Sequence, residues 1–295
     1  MRGALTYWIV RALTGLFGLL PEPVMRAVGR GLGRMVPLVA RDRFRMAMRH
    51  QARVLGPDAD HRAAARRVFA SYGRYWAETF WTRPRRRDEI LARSDIEDIR
   101  YLHEAVASPR GLVLALPHVG NWEAAGLRAA AEGARVLAVA EALKNERIVE
   151  WFTSLRNMMD IDIVIARRGT RVTPALVERL RSGGTVALLC DRDLKGTGVP
   201  VTLFGEETTF PAGPIALADR TGATVIPVGC YFKEGAGHTF ALWPPLEIPD
   251  APTAEERVAL GTRRLAGIVE EIVRRHPEQW HLVVPNWPSD REAAE

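Results

Sequence analysis

Cysteine is scarce in this chain, with two among 295 residues. Cys190 and Cys230 each sit inside an apolar, strand-like run and no C-x-x-C pair occurs. That pattern excludes a zinc ribbon and a disulfide-stapled scaffold, and it reads as two buried free thiols in a reducing compartment. Lysine is also rare, since nearly all of the 41 basic residues are arginine, and aromatic residues reach only 7%. No internal repeat and no low-complexity segment is present, so a repeat array is excluded and a split into two linked domains has no linker to support it. Long apolar runs are missing as well. The first segment, ALTYWIVRALTGLFGLLPEPV, has Arg11 in its middle, falls short of the roughly 20 apolar residues a membrane span needs, and leads to no small-x-small cleavage site. It reads as a helix that lies on a membrane surface rather than crossing it.

What is there places the chain among ordinary globular proteins: 47% hydrophobic and 26% charged residues. The excess of basic over acidic residues gives a net charge of +6, which favours anionic partners such as phosphorylated cofactors, an acidic lipid surface or nucleic acid. The first hundred residues are helical in character, and Val39, Phe44, Met46 and Met48 interleave with Arg41, Arg43, Arg45 and Arg49. Such a face suits an anionic lipid surface, or else a solvated arginine face whose stems pack on the core. No helix-turn-helix, zinc spacing or RNA-type aromatic signature accompanies the arginines, so nucleic acid is not expected as a partner. TRPRRRDEI, at 82–90, marks a loop. We therefore expect an N-terminal helical, membrane-associated region over 1–90 and an α/β core over 91–290, forming one compact domain overall.

A helix from about Asp95 to Ala107 leads into a turn at Pro109-Arg110-Gly111. Short aliphatic runs then alternate with helical patterns: GLVLALP, EAAGLRAAAEG, VLAVAE, NERIVEWFTSLRNMMD, DIVIAR, VTPALVERLRSGG, TVALLCD. Fully apolar strands alternating with helices imply an α/β fold with a mostly parallel central sheet flanked by helices on both faces. Further strands are expected at ATVIPVGCYF, HTFALWPPL and QWHLVVP, with a helix from about Thr253 to Arg275.

The run GLVLALPHVGNWE holds the first chemical signal. Pro117 cannot donate to a strand ladder, so the strand ends and His118 emerges at the carboxyl edge of the sheet, where α/β proteins bind ligands. Asn121 or its neighbouring backbone can start a helix that contains Glu123, whose carboxylate can fold back onto the imidazole. Asp191 follows its own apolar strand, TVALLC, and should reach the same edge. Either Glu123 or Asp191 can orient His118. No serine or cysteine nucleophile lies nearby in sequence, so the pair suits activation of a substrate hydroxyl by an imidazole base. Glu141, at the end of VLAVAE, is a third acid at that edge, placed to bind an acceptor headgroup or to cap the next helix. The tryptophans 122, 151, 280 and 287 read as packing residues.

HVGNWE, a histidine followed after four residues by an acid, resembles the signature of the glycerolipid and lipid A type acyltransferases, in particular the bacterial lauroyl/myristoyl branch. NERIVEWFTSLRNMMDIDIVIARRGT, GGTVALLCDRDLKGTGVPVTLFGEETTFPAGP and HPEQWHLVVPNW are each similar to a block of that family, in the same order. The CDRDL…GVPVTLFGE…FPAGP version is most similar to the actinobacterial phosphatidylinositol mannoside acyltransferases. The resemblance implies a glycerolipid-acyltransferase-like core, a relay between His118 and the acid of the CDRD block, and an arginine of the middle blocks in the active-site groove, matched by Arg156 or Arg168. Such arginines, with Arg167 beside them, suit the phosphates of a thioester donor such as acyl-CoA. Phe204 and its neighbours supply apolar walls for an acyl chain or for the core, and PAGP opens a helix at Gly213 whose first N–H groups can hold an oxyanion. The acid of HVGNWE is glutamate where many members of that superfamily carry aspartate, one methylene shorter.

The expected activity is that of a membrane-associated O-acyltransferase. A long acyl chain would pass from acyl-CoA, as co-substrate, to a hydroxyl of a glycolipid acceptor, foremost a mannose of phosphatidylinositol mannoside. Neither a metal nor another cofactor is expected. The chain would sit peripherally on the cytoplasmic face of the cell membrane. Another lauroyl-type lipid acyltransferase, or an acyl-CoA thioesterase in which the same histidine activates water, are the alternatives.

Overall fold

The computed structural model describes residues 2–141, 145–167, 170–193 and 196–292. Five helices come first: α1 (Arg2–Leu19), α2 (Glu22–Met35), α3 (Arg41–Leu55), α4 (His61–Trp81) and α5 (Arg87–Ala92). α2 crosses α4 with its glycine face inward. A Cβ at Gly33 would strike the Phe69 carbonyl and the Gly73 backbone, so the two helix backbones can approach this closely only without side chains between them. The opposite, outward face of α2 carries Val24, Val28, Leu32 and Met35, all exposed, at the spacing of a single helical stripe. Among the described residues no helix is long and apolar enough to cross a membrane.

The core follows as β1 (Ser94–Glu97), α6 (Arg100–Ala107), β2 (Leu112–Leu116), α7 (Trp122–Ala131), β3 (Val136–Glu141), α8 (Glu146–Asn157), β4 (Asp162–Ala166), α9 (Val172–Arg181) and β5 (Thr185–Leu189). A hairpin of β6 (Val199–Leu203) and β7 (Glu206–Phe210) then leads to α10 (Gly213–Thr221), β8 (Thr224–Phe232), β9 (His238–Leu242), α11 (Ala254–Arg275) and α12 (Pro288–Glu292). The seven-stranded sheet has the order β1-β9-β8-β2-β5-β3-β4. β8, β2, β5, β3 and β4 run parallel, while β9 pairs antiparallel with β8 and takes β1 as a parallel edge partner. The expected mostly parallel sheet flanked by helices is therefore present.

Alternation along the buried strands feeds two core layers. Val113 and Ala115 of β2 join Val186 and Val225 in the layer beneath α9, α10 and α11, whereas Leu112, Leu114 and Leu116 face Leu127 and the helices α6 and α7. Helices on both faces are what five parallel strands without a polar side require.

Three sequence expectations are corrected. The segment 82–90 is not a loop throughout, since α5 begins at Arg87. Residues 94–97 are a strand, not the start of a helix, because β9 leaves an open edge that SDIE fills, and the left-handed Asp98 (φ 55°) separates it from α6. QWHLVVP is not a strand. Val119 and Trp280 form a single bridge, the Gln279 carbonyl accepts from Gly120 N–H, and the Gln279 side chain occupies Phe232 N–H (2.7 Å), so the segment closes over the loop after β2 rather than extending the sheet.

Candidate active site

The register of β2 against β5 builds the site. Leu116 pairs with Leu189, and Cys190 N–H still donates to Leu116 O at 2.9 Å. His118 and Asp191 thus leave adjacent parallel strands at the same step beyond their last pair. His118 Nδ1 lies 2.6 Å from Asp191 Oδ1, and the other carboxylate oxygen accepts from the His118 backbone N–H (2.9 Å) and from Trp280 Nε1–H (2.8 Å). Asn286 Nδ2 donates to the Asp191 carbonyl (3.2 Å). Burial alone would raise the Asp191 pKa, but His118 and these donors reverse that and hold the carboxyl below its ordinary value. A buried carboxylate on Nδ1 fixes the tautomer that leaves Nε2 as the basic nitrogen. The His118 side chain is 22% exposed and Asp191 fully buried, so the base can meet a substrate while its orienting acid cannot.

Gly120 makes the turn possible. Its φ is +59°, and a Cβ there would be driven into the Cys230 carbonyl of β8. Asn121 caps α7: its Oδ1 accepts from Ala124 N–H (3.1 Å) and its Nδ2 donates to Glu78 Oε2 (2.7 Å). Asn121 starts the helix, as its place in the sequence suggested, and its buried amide is committed to the helix end and to Glu78.

Glu123 does not orient the imidazole. It is turned to Arg156, which grips it through Nε (2.9 and 3.2 Å) and Nη2 (2.5 Å). Burial alone would lower the Arg156 pKa; the Glu123 charge more than offsets it and leaves the guanidinium above its ordinary value. Of the two acids left open by the sequence, Asp191 is the one at the histidine. The pair Glu123–Arg156 is part of the lining of an otherwise apolar cavity between α7 and the sheet. Leu116, Leu189, Ala138 and Phe240 are in its wall. Trp122 joins cavity and site: its ring lines the cavity and meets the His118 ring edge-on at 5.3 Å.

The other expected residues fall as follows. Glu141 ends β3 at the carboxyl edge, with its side chain outside the described residues, as is all of Arg168. Arg167 is exposed and pairs with Glu146 at 3.2 Å. Phe204, in a left-handed conformation at φ 52°, packs its buried ring on Trp280 (5.5 Å) beneath Arg274 (5.2 Å), and belongs to the core layer under α11 rather than to the cavity wall. Gly213 opens α10 and is exposed.

Several residues of the site carried no sequence signal. Trp280, read as packing, is the donor that pins Asp191; a buried indole N–H needs an acceptor, but sequence does not say which. His281 donates its backbone N–H to His118 O (2.8 Å), and its ring lies against Ser71 Oγ (2.9 Å) and Tyr72 (centroids 4.8 Å). Burial, helped by His118, lowers the His281 pKa to about 3, so this imidazole stays neutral. Behind the loop, Glu78 receives Arg74 (2.7 Å), His238 (2.8 Å) and Asn121. Burial opposes its ionisation, yet His238 and Arg74 lower its pKa to about 2.

Comparison with known proteins places the chain in a family. The family model of bacterial lipid A biosynthesis acyltransferases matches residues 1–289. A phosphatidylinositol mannoside acyltransferase of Mycolicibacterium smegmatis is 34% identical over 281 residues, covering 90% of each chain. One of Mycobacterium tuberculosis is 37% identical over 223 residues, covering 75% of this chain and 69% of that protein.

Proposed function

Because the chain belongs to the bacterial lipid A biosynthesis acyltransferase family and is a lipid acyltransferase, we propose that it moves a long acyl chain from acyl-CoA to a mannose hydroxyl of a phosphatidylinositol mannoside at a membrane surface. The observation that carries the chemistry is the His118–Asp191 pair, whose imidazole meets Trp122 of the apolar cavity wall.

In this reading the acceptor hydroxyl gives its proton to His118 Nε2 as its oxygen attacks the thioester carbonyl. The imidazolium that forms is stabilised by Asp191, which stays ionised. The tetrahedral adduct collapses by breaking the carbon–sulfur bond, an ester is formed, and the departing CoA thiolate recovers the proton from His118. The cavity under α7 takes the acyl chain, whose burial is worth about 0.8 kcal/mol per methylene. Arg156 is spoken for by Glu123, so it shapes the cavity mouth rather than binding a free phosphate.

Membrane docking is supported by the exposed apolar residues of the N-terminal helices: Trp8, Leu16 and Leu19 on α1, the α2 stripe, and Leu38 and Val39 beyond it. With Arg41, Arg43 and Arg45 exposed nearby, this face fits an anionic lipid surface. The cytoplasmic side is the one that supplies acyl-CoA. Neither a metal nor a further cofactor enters the steps.

The test is product identity. The purified chain is given palmitoyl-CoA and mannosylated phosphoinositides in detergent, and mass spectrometry follows the lipid. A glycolipid heavier by one palmitoyl group supports the proposal; free palmitate with unchanged glycolipid would replace it with a thioesterase.

A further inference from the structure

A second apolar groove shares no lining residue with the catalytic cavity. It runs between α1, α2 and α4, with Leu13, Phe17, Trp76 and Phe80 in its walls and about 820 Å³ of empty space, part of it open to solvent. Its outer rim, at Leu32 and Val36, is continuous with the exposed stripe of α2. Arg43 and Tyr72 also line it. Tyr72 stacks on His281 (4.8 Å), and His281 in turn hydrogen-bonds the His118 carbonyl (2.8 Å). The groove therefore connects the lipid-facing helices to the catalytic loop through the Tyr72 ring and through His281, whose ring meets Tyr72 and whose backbone N–H holds His118.

One arginine lies at that junction. Arg43 lines the groove together with Tyr72 and has no carboxylate ion pair among the described residues, in contrast to Arg49, Arg53 and Arg74 nearby in sequence. A guanidinium without a counter-ion on an apolar groove that is linked to the loop of a general base matches a molecule with a tail, an anionic phosphate and a hydroxylated head in that order.

We propose that the α1–α2–α4 groove holds a fatty tail of the acceptor lipid and that Arg43 binds the phosphodiester joining that tail to the sugar head. This rests on the glycolipid-acceptor reading and gives the acceptor its own tail site, separate from the cavity that takes the donor chain. The phosphate then acts as a ruler: held at Arg43, it sets which hydroxyl of the head reaches His118 Nε2.

Two measurements on the full chain test it. In the first, a phosphatidylinositol with a diazirine at its tail end is photolysed with the protein in detergent, and the labelled peptides are mapped. Label on the Phe69–Phe80 stretch of α4, lost in Arg43→Gln, is expected; label confined to outward residues such as Trp8, Val24 and Val28 would mean surface adsorption and would overturn the proposal. This readout needs no turnover, so it stands apart from whether transfer to a mannoside occurs. In the second, steady-state rates are compared for wild type and Arg43→Gln. The KM for the glycolipid should rise about tenfold in Arg43→Gln, as for loss of a charge-assisted contact, with the KM for acyl-CoA unchanged. An unchanged glycolipid KM, or a raised acyl-CoA KM, would show that Arg43 does not serve the acceptor phosphate.

Discussion

Asp191 meets His118 because both stand two residues past a paired position, Leu116 opposite Leu189, on neighbouring parallel strands. Their juxtaposition is a property of sheet register, and three hydrogen bonds to the Asp191 carboxylate lock it. Asp191→Asn keeps the shape but removes the charge that stabilises an imidazolium. Transfer should fall about 10²- to 10⁴-fold, the usual span for general-base catalysis, while the urea-unfolding curve stays cooperative. Rates and unfolding are read on the same preparation; near-normal turnover would remove Asp191 from the mechanism.

Glu123→Gln should behave differently. It leaves Arg156 as a largely buried cation without its counter-ion, which typically costs about 3–5 kcal/mol. A large loss of stability is expected, relieved in Glu123→Gln/Arg156→Met where the uncompensated charge is also gone. If the single variant were fully stable and inactive instead, Glu123 would belong with the reacting groups.

Gly120→Ala tests the loop itself. The left-handed backbone and the Cys230 carbonyl facing a Cβ leave no place for a methyl group, and strain of this kind costs about 1–3 kcal/mol before any clash is counted. Thermal unfolding should shift down by several degrees, with activity lost in proportion to the displaced His118.

Acid sensitivity follows from His281. In the folded chain its pKa is near 3 against an ordinary 6.5. Between those values the unfolded chain takes up a proton that the folded chain refuses, so stability falls as pH drops below 6.5 and the loss is complete near 3. Asp191, held below its ordinary value, adds a further loss below about pH 4. From pH 7 to 5, His281 accounts for about 2 kcal/mol. His281→Gln should therefore show a shallower decline in unfolding free energy over that range than wild type; parallel declines would mean that the imidazole is solvated and titrates normally.

The parallel sheet was legible because its strands are apolar throughout, and the positions of His118 and Asp191 were legible because Pro117 and the end of TVALLC mark where strands stop. What could not be read depended on distant chain segments. The choice between Glu123 and Asp191 turned on Arg156, supplied by α8, which claims Glu123. Trp280 looked like any core tryptophan until its N–H found Asp191. SDIE carries too few apolar residues to announce a strand, and only the open edge of β9 makes it one. The apolar residues of QWHLVVP suggested a strand, yet their backbone partners lie in the loop after β2. Inverted amphipathicity in α2 was likewise hidden, because its glycines pack inward and its valines face out.

The most direct test of His118 as the base that activates the acceptor is release of CoA from palmitoyl-CoA, followed with and without mannosylated phosphoinositides for wild type and His118→Ala. Release that depends on the acceptor and disappears in His118→Ala is the expected result. Release at the full wild-type rate without acceptor, or undiminished acceptor-dependent release in His118→Ala, would contradict it.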